Sequence, residues 1–310
     1  VFDLASLTKV FATTFVVMLL VDRGAIELDE PLHTYLPEFR GGAKDQVTIR
    51  LLLTHTAGLP AWVPLYASGK PPGELQSVIK ALRPIGSFGK QVEYSCPGFI
   101  LMGMVLEKVL GTGLAQAFSG LVAQPLGLGG QLTFRPSADS VVAGGARFPG
   151  AEVRLMRNIG GDVSTVPASG PRLPDDGNAR YLGGIAGNSG LFGTVRGVVR
   201  LSQEFLPGGG RLLTAEEADL AAQCRTQGLN QHRGLGWQIA TSPGCSAGSA
   251  ISQDSIGHVG FTGTSLWIDR RRGCTMALLS NRHHPAHRQT DLHPLRRRFN
   301  TLVSAICRDD

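Results

Sequence analysis

VFDLASLTKVFATT, residues 1–14, holds Ser6 and Lys9 three positions apart at the head of an apolar run that continues to Val21. On a helix, residues so spaced share a face. A serine hydroxyl needs a nearby base to become a nucleophile. A lysine in a dry pocket can serve, because desolvation favours its neutral form. A helix N-terminus would add N–H groups and partial positive charge beside the serine. The spacing alone fits an ordinary helix end with a surface lysine equally well, so the rest of the chain must decide.

Residues 6–22 are apolar nearly all round, which predicts a central, buried helix ended by Gly24. The apolar run is broken by Thr13 and Thr14 and is shorter than the roughly 20 residues a membrane span takes. Further along, VTIRLLLTHTAGLP (47–60) predicts a short helix capped by Thr48 and closed by Gly58 and Pro60, and PGFILMGMVLEKVLG (97–111) a longer one stopping at Gly111. Residues 127–187 are rich in Gly, Pro and Ser and read as irregular. GLFGTVRGVVRLSQEFL (190–206) and TAEEADLAAQCR (214–225) read as helices, the second with Thr214 and Glu217 as a capping pair.

The pattern changes near residue 234. GLGWQIA (234–240), GTSLWID (263–269) and CTMALLSN (274–281) read as strands, the last two joined by a tight turn into an antiparallel hairpin. Leu292, Leu295, Phe299, Leu302, Val303 and Ile306 then recur at helical spacing. A helical and irregular part, about 22–233, followed by a sheet and closing helix, about 234–307, is an α+β arrangement within one domain over 1–310.

Other chemistries find little support. The net charge is +6, but the Arg270–Arg272 and Arg296–Arg298 runs read as solvated arginines, with no clustered nucleic-acid footprint. Five scattered cysteines without C-x-x-C argue against a disulfide framework or zinc ribbon. RHHPAHRQTDLH (282–293) gathers His283, His284, His287, Asp291 and His293 in spacings that match no metal motif, so no metal is expected. His55 reads as a structural, hydrogen-bonded histidine. Ser189 lies outside any G-x-S-x-G elbow, and no glycine pair has the setting of a nucleotide site.

Two more stretches give Ser6 and Lys9 company. VEYSCPGF puts Tyr94 just before a helix, and GHVGFTGT puts His258 between glycines. In this order the three stretches resemble the serine hydrolases of the penicillin-binding-protein and class C β-lactamase fold. That group includes family VIII esterases and D,D-peptidases and reads S-x-x-K, Y-x-N, then K-T-G or H-x-G. LLTHTAGLP, AGNSGLFGT and GHVGFTGTSLWID extend the resemblance, which runs from residue 2 to about 282.

The resemblance implies an antiparallel sheet flanked by helices and catalysis through an acyl-enzyme without a cofactor. Ser6 would be acylated, Lys9 would take or relay its proton, and Tyr94 would share base duty and protonate the leaving group. The N–H groups of Ser6 and Phe261 would form the oxyanion hole. His258 would face the substrate, and Gly260 and Gly263 would let the strand pass close to it. Cys96 stands where the family has Asn, which weakens amide recognition, and Val259 stands where a Thr would meet a carboxylate. These departures put a small acyl ester first, ahead of a D,D-peptide or a β-lactam. A reading of another class is a receptor or scaffold that does not hydrolyse. The resemblance also implies an N-terminal helix and strands ahead of S-x-x-K. Without them the sheet would keep an open edge, and the chain as given is expected to be poorly soluble.

Overall fold

The computed structural model describes residues 1–143, 150–284 and 291–307. Its centre is the apolar run after Ser6: every residue from Lys9 to Leu20 is buried. The helical stretch covers 7–22, with Lys9–Thr14 π-helical and Phe15–Asp22 α-helical, where the sequence predicted one regular helix from residue 6. Thr13 and Lys9 both reach one neighbouring segment: Thr13 Oγ1 donates to Gly187 O at 2.6 Å and Lys9 Nζ to Asn188 O at 3.0 Å. Edge-to-face contacts tie this helix to its surroundings: Phe11 to Trp237, Phe15 to Phe205, and Phe205 to Trp237. Such pairs add about 0.5–1.5 kcal/mol each beyond the area they bury.

Two sheets flank the helix. A small one, not foreseen in the sequence, pairs β1 (Phe2–Asp3), β2 (Leu132–Thr133) and β3 (Phe192–Gly193) antiparallel in the order β1-β3-β2. The main one joins β4 (Gln238–Ile239), β5 (Ile256–Val259), β6 (Ser265–Asp269) and β7 (Cys274–Leu278) antiparallel in chain order. Its register sets His258 opposite Leu266, and the β6–β7 hairpin turns through 270–273 with Gly273 at φ 61°.

Local signals bound several helices as read, although the one expected to run to Gly58 and Pro60 stops at Leu53, its C-cap Thr54. Thr48 caps Ile49–Leu53, Gly111 closes Cys96–Leu110 at φ 64°, and Thr214 and Glu217 form a reciprocal capping box on Ala215–Ala222. The irregular 127–187 stretch holds two helices, Gly150–Asn158 and Gly177–Tyr181, the second capped by Asp176. Among the described residues no single helix is long and apolar enough to cross a membrane.

The closing helix, His293–Ile306, inverts the expected arrangement. Leu295, Leu302 and Ile306 are exposed, while Arg296, Asn300 and Ser304 are buried. The polar face wins because the sheet's loops present carbonyls to it. Arg296 donates to the carbonyls of Gly260, Gly263 and Thr264, Asn300 to Ser246 O, and Ser304 to Ala250 O. Of its apolar residues, Phe299 and Val303 pack on the small cluster of Trp267 and Met276. Arg296 is therefore not a solvated arginine. Nor are Arg270, bonded to Phe205 O and Asp219, and Arg272, bonded to Asp269, Ala250 O and Ser304. The cysteine reading also needs correction: Cys274 of β7 and Cys307, with Cα atoms 6.4 Å apart, form a disulfide. Sequence order hid the pair, because the helix brings its far end back to the strand.

Candidate active site

The chain leaves β1 at Asp3 and turns sharply into the central helix. Ala5 sits at φ +47°, a left-handed conformation that costs a non-glycine residue roughly 1–2 kcal/mol. The turn is pinned from several sides. Asp3 Oδ1 accepts from Ala5 N, Thr8 Oγ1 donates to Ala5 O, Thr262 Oγ1 to Asp3 O and Thr264 Oγ1 to Leu4 O. At about 1 kcal/mol net each, these bonds outweigh the strain. Gly260 makes the docking possible: a Cβ there would lie 2.0 Å from Thr264 Oγ1 and 2.8 Å from Leu4 O. On Gly263 a Cβ would lie 2.1 Å from Ser280 Oγ. These glycines admit the protein's own turn and side chains, where the sequence predicted room for a ligand.

Ser6 Oγ accepts from Lys9 Nζ at 3.2 Å, and the same buried ammonium reaches Asn188 O and, at 3.5 Å, Cys96 Sγ. Nζ lies 5.0 Å from the centre of the Tyr94 ring. Burial works against the ammonium, but the Cys96 and Tyr94 groups beside it outweigh that and hold its pKa above the ordinary lysine value. Burial pushes the Tyr94 phenol up, and Lys9 and a hydrogen bond to Ser6 pull it partly back. Burial likewise raises the Cys96 thiol. The resting set is thus ammonium, phenol and thiol.

His55 positions Tyr94. Its ring lies between Tyr94 and Phe99, 4.5 and 5.0 Å between centres, its Nδ1 accepts from Ser95 N and its carbonyl from Glu93 N. The Arg233 guanidinium stacks 5.4 Å from the Tyr94 ring on another side. His258 is buried, its ring 5.7 Å from Tyr94, with Nδ1 2.9 Å from Val259 O. Burial holds its pKa well below the ordinary histidine range, so the ring is neutral. With Nδ1–H donating to Val259 O, Nε2 is left as an unpaired acceptor, ill suited to a carboxylate.

Ser6, Tyr94 and Phe261 line two cavities at once. One, of about 260 Å³, also has Trp62, Cys96, Glu152, Asp175, Asp176 and Ser189 in its wall. The other, of about 440 Å³, has Gln231, Arg233, Gln238, His258, Arg282 and Arg296. The Ser6 turn therefore stands between an acidic and a basic chamber. Among the described residues, the N–H groups of Ser6 and Phe261 have no acceptor. The structure thus brings together Ser6, Lys9, Tyr94, Cys96, His258, Gly260 and Phe261. The sequence reading missed the acidic wall, Arg233, and the carbonyl of Asn188 that holds Lys9. Only the AGNSGLFGT stretch signalled the last.

Among the described residues no group of three or more His, Cys, Asp and Glu side chains could hold a metal ion. His283 and His293 instead face the carbonyls of Phe261 and Gly244, and His287 lies outside the described residues.

A family model described as Beta-lactamase matches residues 1–300. A protein of Escherichia coli (strain K12) described as "Putative D-alanyl-D-alanine carboxypeptidase" is 28% identical over 91% of this chain and 69% of its own length. A protein of Salmonella agona (strain SL483) with the same description is 27% identical over 98% and 73%. Among solved structures, EstCE1, a hydrolase with promiscuous acyltransferase activity, superposes with TM-score 0.70 at 22% identity, over 96% of this chain and 84% of its own. A penicillin-binding protein homologue from Caulobacter crescentus gives 0.70 at 19%, over 98% and 82%. By a match across nearly its whole length, the chain belongs to the Beta-lactamase family.

Proposed function

We propose that this protein is a serine hydrolase that forms an acyl-enzyme on Ser6 and releases a carboxylate-bearing leaving group, as a D,D-carboxypeptidase does. The observation that carries the reading is the Ser6 Oγ–Lys9 Nζ contact of 3.2 Å beside Tyr94, where two cavities open. Once the Lys9–Tyr94 pair has lost one proton, it takes the Ser6 proton as Oγ attacks the carbonyl carbon. The N–H groups of Ser6 and Phe261 receive the oxyanion. The bond to the leaving group breaks as the pair returns the proton to it. Water then attacks the acyl carbon, giving its proton to the pair, and Ser6 Oγ leaves as the hydroxyl.

The arginines rank the substrates. Arg233 and Arg282 line the basic cavity, and guanidinium groups suit a carboxylate bidentately. That moves a peptide with a free C-terminus ahead of the small acyl ester. The ester reading stands second, supported by Cys96 in place of an amide-binding Asn.

The test compares the unmutated protein with Ser6→Ala on an acyl-D-Ala-D-Ala peptide and on p-nitrophenyl butyrate. D-Ala release that falls about 10³-fold or more in the variant is expected. Ester turnover without peptide turnover would establish the second reading. A stable adduct on Ser6 with neither would make the protein a receptor.

A further inference from the structure

The wall of the smaller cavity gathers more carboxyl groups than the fold needs. Glu152, Asp175 and Asp176 all line it, and Asp3 lies directly behind, its Oδ2 accepting from Asp175 N at 2.8 Å. Most of this charge is spoken for. Glu152 accepts from Gly177 N and Arg180, and Asp176 from Ala179 N and Asn188 Nδ2. Among the described residues Arg180 is the one guanidinium that bonds to this group, and its other bonds go to the carbonyls of Pro174 and Pro167.

Asp175 is the exception. It is 8% exposed, and its Oδ2 has no hydrogen-bond partner. The ring of His283 lies 3.8 Å away, but burial pushes that histidine down to about 4, so it brings no charge at neutral pH. Ser189, 3% exposed and in the same wall, also leaves its Oγ unpartnered. An orphaned buried carboxyl oxygen and hydroxyl facing one small cavity are costly unless something fills them, and burial lifts that carboxyl to about 7, so a bound cation would also hold it ionised. Trp62 and Tyr94, in the same wall, suit a cation too, since aromatic faces attract one.

We infer that the acidic cavity binds a protonated amine carried by the acyl half of the substrate, held by Asp175 and Ser189. The inference rests on the proposed function in one respect: with the leaving group in the basic cavity, the acidic one receives the acyl group. The shared chemistry is a primary ammonium, borne either on the α-carbon or farther along the acyl chain.

The test uses simple esters, read as acid release in a pH-stat. Glycine ethyl ester carries the α-ammonium and ethyl 4-aminobutyrate a distal one. Ethyl butyrate and N-acetylglycine ethyl ester are the neutral counterparts, and butyrylcholine places the cation in the leaving group. One of the two ammonium esters is expected to exceed its neutral counterpart in kcat/KM by about 10-fold or more, the usual worth of a hydrogen-bonded charge pair. In Asp175→Asn that ratio should fall toward one. Equal rates, a ratio that survives Asp175→Asn, or a preference for butyrylcholine would overturn the inference.

A second measurement needs neither turnover nor the variant: ethylammonium chloride against sodium chloride at equal concentration, read as a shift in melting temperature of the Ser6→Ala protein. A saturable rise supports the inference even where no ester is cleaved, in which case only the hydrolase reading fails. Turnover without any rise or ammonium preference overturns the inference alone.

Discussion

Lys9 and Tyr94 share one proton problem. Both have pKa values raised above their ordinary ranges, so the protein at neutral pH stores the acid form of the pair. The base form grows as pH climbs, and kcat/KM for a neutral ester should climb with it, about tenfold per pH unit until the pair's apparent pKa is reached. A profile flat from pH 6 to pH 9 would contradict this assignment. His55 and His258 cannot supply such a limb, since burial keeps both neutral across that range. At this scale the site was half legible. Ser6, Lys9, Tyr94 and His258 sit in short motifs whose spacing is itself chemical information. Glu152 and Asp175 lie in a stretch without periodicity, and their neighbours in space are far away in sequence. Nothing local marks them as one wall.

Among the elements, the AGNSGLFGT segment has a larger part than its lack of regular structure suggests. It offers Gly187 O to Thr13 and Asn188 O to Lys9, then enters β3, which pairs with β1 just ahead of the Ser6 turn. Gly187 lies so close to the Cys96–Leu110 helix that a Cβ would stand 2.0 Å from Phe99 O and 2.8 Å from Gly103 N. Gly187→Ala should therefore destabilise by about 1–3 kcal/mol or more and shift the acceptor of Lys9. Urea unfolding measures the first effect and the pH profile of ester hydrolysis the second; an unchanged midpoint would refute the packing argument. The caps at Thr48 and Thr214 and the stop at Gly111 were read correctly, while Gly58 closes no helix. The closing helix was misread, because its apolar spacing implied an inward face while buried carbonyls claimed the polar one. The small sheet went unseen because its strands are two residues each and distant in the chain.

For the whole molecule, the buried carboxyls set a pH dependence of stability. Burial lifts Asp3 to about 6 and Glu152 and Asp175 to about 7. The folded chain thus holds protons that the unfolded chain, with carboxyls at 3.8 to 4.5, releases. The resulting stabilisation is complete below about pH 4 and lost as pH rises through about 7. For Asp3 alone it is on the order of 3 kcal/mol. Melting temperature should fall by several degrees between pH 5 and pH 8, and less steeply in Asp175→Asn, as calorimetry would read; parallel curves for the two proteins would sink the argument. The same chamber has one further property. Of the three tryptophans, Trp237 and Trp267 are fully buried, while Trp62 is partly exposed in the wall beside Asp175 and Ser6. Two indoles thus emit from constant surroundings and the third from the chamber itself. The protein carries its own optical gauge, in which a change in red-edge fluorescence reports when that chamber fills and empties.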